Sequence, residues 1–226
     1  MAYVIFFVAI LPGLLICRYI YNLDKYEREP RWLMVKCFVL GMLSTAPALV
    51  VQLSLKSHER HGDFLGELFF AFAIVAVSEE CSKFFFLRWY AYGKKDFNEP
   101  MDGIVYSVMI GMGFATLENV LYAFQSGIGT AAGRALTAVP AHAAFAVVMG
   151  AFVGMAKFIT GGRRIIYQLA GLSLAIVLHG AYDFFLMQDS YDGLIFLAVG
   201  VLVFALFLSR WLIRHNEALS PFKGEQ

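Results

Sequence analysis

The chain has 226 residues, 60% of them hydrophobic and only 15% charged. A water-soluble domain of this length has too little interior to hide so much apolar surface. The formal net charge of +1 gives no basic surface of the kind nucleic acid requires.

A membrane-spanning helix takes about 20 mostly apolar residues, and seven segments qualify. The first, 2–21, has no basic stretch ahead of it and no small-residue cleavage site, so it is expected to be a retained span and not a removable signal. A mixed-charge turn, Asp24 to Arg31, reads as a solvated loop before the second span, 32–55. After His61-Gly62-Asp63 comes the third, 65–92, whose Phe84-Phe85-Phe86, Trp89 and Tyr90 suit a lipid-facing and interfacial belt. The fourth, 103–125, carries Gly111 and Gly113 and ends in the turn Ser126 to Gly129. The fifth, 135–158, contains a GxxxG at Gly150 and Gly154, expected to let helices approach closely. Gly161-Gly162 precedes the sixth, 165–187, and the seventh covers 192–213. Cys17, Cys37 and Cys81 lack any CxxC spacing and read as free thiols in apolar runs. No connection has room for a soluble domain, so 1–226 reads as a single all-α, polytopic transmembrane bundle.

Basic residues near span ends stay cytoplasmic. Of the 18 Lys and Arg, fourteen fall on one side of this seven-span path, three (Lys56, Arg60 and Arg134) on the other, and Lys83 lies inside a span. The split predicts an outside N-terminus and a cytoplasmic C-terminus.

Ionisable groups within spans are expensive and point to function. This chain has seven: Glu79, Glu80 and Lys83 in the third span, Glu118 in the fourth, His142 in the fifth, and His179 and Asp183 in the sixth. Helical spacing lets Lys83 reach both Glu79 and Glu80, and sets Asp183 one turn from His179, where a carboxylate can orient an imidazole. Two carboxyls beside one lysine can divide the roles of base and acid. Counting from the outer side puts Glu118, His142, His179 and Asp183 at one depth, about 10–15 Å down at 1.5 Å per residue, and Glu79 and Glu80 deeper. That convergence predicts a water-accessible cavity open to the outside, with a late start or a break in the third span to bring the glutamates to it.

These residues resemble the PrsW family of intramembrane proteases, which is distantly similar to the CAAX-prenyl (ABI) endopeptidases. An EExxK motif falls on Glu79 to Lys83, an FxxxEN motif on Phe114 to Asn119, a lone histidine on His142, and an HGxYD motif on His179 to Asp183. Asp102-Gly103, Tyr122 and the Asp24 to Arg31 turn are also similar to the family, and the match runs from about 20 to 190. The resemblance implies a glutamic-type endopeptidase of a bacterial or archaeal cell membrane. It would cut a single-span membrane-anchored protein, such as an anti-sigma factor, at or just outside the outer leaflet of the bilayer. Glu79 or Glu80 would activate water, with the other carboxylate and Glu118 moving protons. His142, His179 and Asn119 would hold that water or the oxyanion, Asp183 would orient His179, and Lys83 would set the carboxylate charges. On this reading no cofactor is needed. Glu118, His142, His179 and Asp183 are also legitimate zinc ligands, which leaves a metalloprotease open. Buried carboxylates and histidines build proton relays too, which leaves a proton-coupled transporter or channel, and a non-catalytic scaffold is the third alternative.

Overall fold

A computed structural model describes residues 2–58, 63–188 and 191–224. Arg60, the turn residues His61 and Gly62, Ser190 and the terminal Gln226 lie outside the described residues. The described chain is helical with no strand, in seven helices. They are α1 (Ala2–Leu23), α2 (Arg31–Ser54), α3 (64–91), α4 (Pro100–Leu136), α5 (Ala138–Lys157), α6 (Gly162–Met187) and α7 (Ile195–Ala218).

All of these except α3 are long and apolar enough to cross a membrane. The exception is helical throughout but changes pitch: α-helix Phe64–Phe69, π-helix Phe70–Ala76, α-helix Val77–Phe86 and π-helix Leu87–Ala91. A π turn holds more residues than an α turn and so climbs less per residue; such turns gather at functional sites. The π stretch Phe70–Ala76 therefore shortens the climb from Phe64 to Glu79 and Glu80 relative to a wholly α-helical span. The helix starts at Phe64, so the third span does not start late, and its irregularity lies in the π stretches.

Burial ranks the helices. In α4 and α5, 78% and 83% of the spanning window is buried, against 22–39% in α1, α2, α6 and α7. The central pair therefore forms the core. Large apolar side chains on the outer helices, such as Phe196 and Phe207 on α7, face outward, as a helix in lipid requires. The backbones of α4 and α5 meet through glycine: a Cβ on Gly103 would strike Gly150 and Gly154, and one on Gly154 would strike the Pro100 carbonyl. Around this pair α4 packs on α1 and α2, α5 packs on α6 and α7, and α3 bridges α2 to α6.

The apolar pattern alone divides α4 into two pieces, a span to 125 and the start of the next at 135. Instead α4 is helical from Pro100 to Leu136 around one non-helical residue, Gly127, at φ 86° and ψ 179°. That backbone is open almost only to glycine. At its other end Asp102 accepts the N–H of both Asn98 and Glu99, at 2.7 Å each, and Pro100 sits at the first turn, which starts the helix at 100 and not 103.

The Asp24 to Arg31 turn is not a solvated loop throughout. Asp24 and Glu29 are buried, because the Tyr106 hydroxyl donates to Glu29 and the bundle end closes over both. Lys25 pairs with Glu217 at 3.1 Å and Ser220 donates to Glu99. Lys157 donates to the Tyr92 carbonyl at 2.5 Å. These contacts bring the ends of α1, α3, α5 and α7 and the start of α4 to one end of the bundle, where most of the basic residues also lie.

Candidate active site

Four helices supply the polar centre. Glu79, Glu80 and Lys83 come from the α-helical middle of α3, between its two π stretches. This segment is pinned to α2, where the Ser82 hydroxyl donates to the Ser44 carbonyl at 2.6 Å, close to the bend-prone Pro47. Glu118 comes from α4, His142 from the second turn of α5, and His179 with Asp183 from successive turns of α6.

Their side chains converge. Lys83 Nζ donates to Glu80 Oε1 at 2.8 Å and to Glu79 Oε2 at 3.4 Å, and lies 3.2 Å from His142 Nδ1 and 4.1 Å from the centre of the Phe114 ring. An ammonium can only donate, so Nδ1 of His142 is the acceptor, and Nε2 carries the proton that faces Glu118 Oε2 at 3.1 Å. His179 has a carboxylate on each ring nitrogen: Glu80 Oε1 at 2.8 Å on Nδ1 and Asp183 Oδ2 at 3.1 Å on Nε2. The two imidazoles meet edge to face at 5.0 Å, and Phe145 stacks on His179 at 5.2 Å.

A cavity of about 490 Å³ opens beside this cluster. Glu79, Glu118, His142, His179 and Asp183 line it; Glu80, Lys83 and Asn119 do not. The adjacent glutamates are therefore unlike. Glu79 faces the cavity and takes a hydrogen bond from Gln52 at 3.1 Å, whereas one Glu80 oxygen is shared between Lys83 and His179 behind it. Asn119 turns to the backbone, donating to the carbonyls of Ala9 at 3.3 Å and Ala131 at 3.4 Å, so it joins α1 to the end of α4.

Arg134 was missed by the sequence reading. The chain folds back at Gly127 and brings its guanidinium to Glu118 Oε2 at 2.6 Å, over the Tyr122 ring and into the cavity wall. Its signal in the sequence is that it is one of only three basic residues on the side that Lys and Arg otherwise avoid. Gln52 carried no such signal, since an amide at the end of an apolar span looks like any interfacial residue.

Glu79, His142 and His179 each offer one donor atom, and these atoms all lie within 4.8 Å of one another. Two imidazoles and a carboxylate suit zinc in type and number. Glu80 on the far ring nitrogen of His179 is the kind of outer partner a metal-bound histidine has. The residues thus fit a metal ion, although the cation between Glu79, Glu80 and His142 in this arrangement is the Lys83 ammonium.

A sequence profile described as "PrsW family intramembrane metalloprotease" matches residues 29–210. Three bacterial proteins named Protease PrsW are similar over most of their length. The one from Geobacillus kaustophilus is 39% identical over 194 residues, 84% of each chain. That from Oceanobacillus iheyensis is 37% identical over 208 residues, 92% of this chain and 94% of its own. The Bacillus subtilis protein is 36% identical over 177 residues, 78% of this chain and 80% of its own. No solved structure matches the chain significantly. A multi-pass helical membrane protein with a polar centre between its helices is the class these findings define. Within that class, this chain belongs to the PrsW family of intramembrane proteases.

Proposed function

We propose that this chain is a single membrane-embedded endopeptidase in which Glu79 is the general base, cutting a single-span membrane protein at or just outside the outer leaflet. The observation that carries this reading is the cavity lined by Glu79, Glu118, His142 and His179. A carboxylate there can take a proton from water held against a peptide carbonyl. Glu80 keeps His179 and Lys83 in place behind it, and Asp183 holds the other side of His179. The N–H that His142 directs at Glu118 gives a path for a proton to the departing amine. Tyr182, whose hydroxyl is buried beside Thr137, lines the same cavity and is suited to steady the oxyanion. The distribution of Lys and Arg orients the C-terminus to the cytoplasm and opens the cavity toward the outer side.

The second reading is a metalloprotease, favoured by the donor atoms of Glu79, His142 and His179 and by the description of the family as metalloproteases. Those three residues would hold the ion, which when bound supplies Lewis acidity to the site.

The test is cleavage of a single-span peptide by purified protein in liposomes, with and without 1,10-phenanthroline. Cleavage that survives the chelator, in protein with no stoichiometric metal, supports the glutamic reading. Activity lost to the chelator and restored by zinc establishes the metal reading in its place.

A further inference from the structure

A second buried polar cluster lies at the opposite end of α4 from the cavity. Asp24, Glu29, Glu99 and Asp102 are all 2% exposed or less. None of the four makes an ion pair with Lys, Arg or His among the described residues. Donor oxygens of Asp24, Glu99 and Asp102 lie within 4.8 Å of one another.

The bonding of these carboxylates is divided in a telling way. Asp102 Oδ2 accepts the N–H of Asn98 and of Glu99, Glu99 Oε2 takes the Ser220 hydroxyl, and Glu29 Oε2 takes the Tyr106 hydroxyl. In each the second oxygen, Asp102 Oδ1, Glu99 Oε1 or Glu29 Oε1, is buried and is left to its fellow carboxyls, and the buried Asp24 carboxyl faces Glu99 and the Glu29 backbone with no cationic side chain paired to it among the described residues. One oxygen is fixed by the rest of the protein and the other is left to the cluster, as in carboxylates oriented for a ligand at their centre.

A capping role accounts for Asp102, since the start of a helix favours a carboxylate. It does not account for Asp24, which caps nothing and adds a third buried carboxylate to the other two. Two chemical agents can relieve such a cluster, protons or a cation. The donors are all hard oxygens, with no sulfur or imidazole, which selects an ion such as Mg²⁺, Ca²⁺ or Mn²⁺ over zinc or copper.

We propose that Asp24, Glu99 and Asp102, with Glu29 beside them, form a binding site for one hard divalent cation that clamps the α1–α2 turn and the C-terminal tail to the start of α4. The site is separate from the cavity: Asp102 and Glu118 are sixteen residues apart on one unbroken stretch of α4, about 24 Å at 1.5 Å per residue. Its existence does not depend on how the protease works, but an ion there would fix the end of the helix that carries Glu118.

The experiment is a Mn²⁺ titration of the full-length, detergent-purified protein followed by electron paramagnetic resonance, with Mg²⁺ and Ca²⁺ as competitors. One Mn²⁺ is expected to bind per chain in the unaltered protein and equally in Glu79→Gln. Asp24→Asn should weaken it by more than about tenfold, the least that loss of even an outer partner costs. A rise in melting temperature on adding the ion should be absent from Asp24→Asn. If Asp24→Asn does not fold, Glu99→Gln is read in its place against the same two measurements. The proposal is overturned if no Mn²⁺, Mg²⁺ or Ca²⁺ binds saturably up to millimolar levels. It is equally overturned if binding is lost in Glu79→Gln and kept in Asp24→Asn, for the ion then belongs to the cavity.

Discussion

Glu79 and Glu80 are neighbours of one type on one turn of one helix, yet they face different surroundings. Spacing along the chain shows that Lys83 reaches both. It cannot show that Glu80 also holds His179 across 2.8 Å while Glu79 opens on the cavity, because that depends on where α6 packs against α3. The difference gives distinct expectations for Glu→Gln changes. Glu80→Gln removes the buried anion that Lys83 and His179 share at 2.8 Å each, and breaking such a pair costs about 3–5 kcal/mol. Glu80→Gln should therefore melt several degrees lower in detergent, whereas Glu79→Gln, whose side chain lines the cavity and makes the longer contact with Lys83, should melt closer to the unaltered protein. Equal melting temperatures for the two would contradict the division of labour.

The other cluster carries a pH expectation at the same scale. Burial, with the neighbouring Glu99 and Asp102 charges, pushes the Asp24 carboxyl up to about 8, and burial beside Asp102 pushes Glu29 up to about 11. An unfolded aspartate titrates near ~3.9, so between there and about 8 the folded protein binds the extra proton. Stability from this group is complete below ~3.9 and is lost as pH rises through about 8; Glu29 prolongs the loss. In chelated buffer the melting temperature should fall from pH 6 to pH 9, and the advantage of Asp24→Asn over the unaltered protein should grow across that range. A difference between the two that does not change with pH would refute this assignment.

At the scale of elements, the positions of the spans and of the turn near Gly127 are legible because apolar length and glycine are local signals. The fold-back of 128–136 is not. The segment is helical and apolar like a span, and only its packing brings Arg134 onto Glu118. The π turns of α3 were also hidden, although the mismatch in depth between its glutamates and the other site residues pointed to an irregular helix there. Gly127 is the hinge of this arrangement. Any side chain in its backbone conformation costs on the order of 1–3 kcal/mol, so Gly127→Ala should displace Arg134 and lower cleavage. Gly129→Ala, two positions on, should not, because Gly129 has no positive φ and nothing near its Cβ position. If both variants cleave equally well, the fold-back has no part in the site.

For the molecule as a whole, four motifs scattered over more than a hundred residues predicted one polar centre, and the distances among Glu79, Glu118, His142 and His179 are those of one centre. The acidic cluster at the other end was not legible: Asp24 and Glu29 sit in a charged turn, and only the closing of α4 and the tail over that turn buries them. The basic residues near the span ends predict that a reporter fused after Gln226 is active in the cytoplasm; activity on the outer side would reverse the orientation.

In the proposed mechanism Glu79 activates the water that cleaves the peptide bond. The most direct measurement of that step is the rate at which purified Glu79→Gln, reconstituted in liposomes and confirmed as folded by its melting temperature, cuts a single-span peptide that the unaltered protein cuts. General base catalysis contributes roughly 10²–10⁴-fold, and the expected loss is at least that large. Cleavage by folded Glu79→Gln at the rate of the unaltered protein would contradict it.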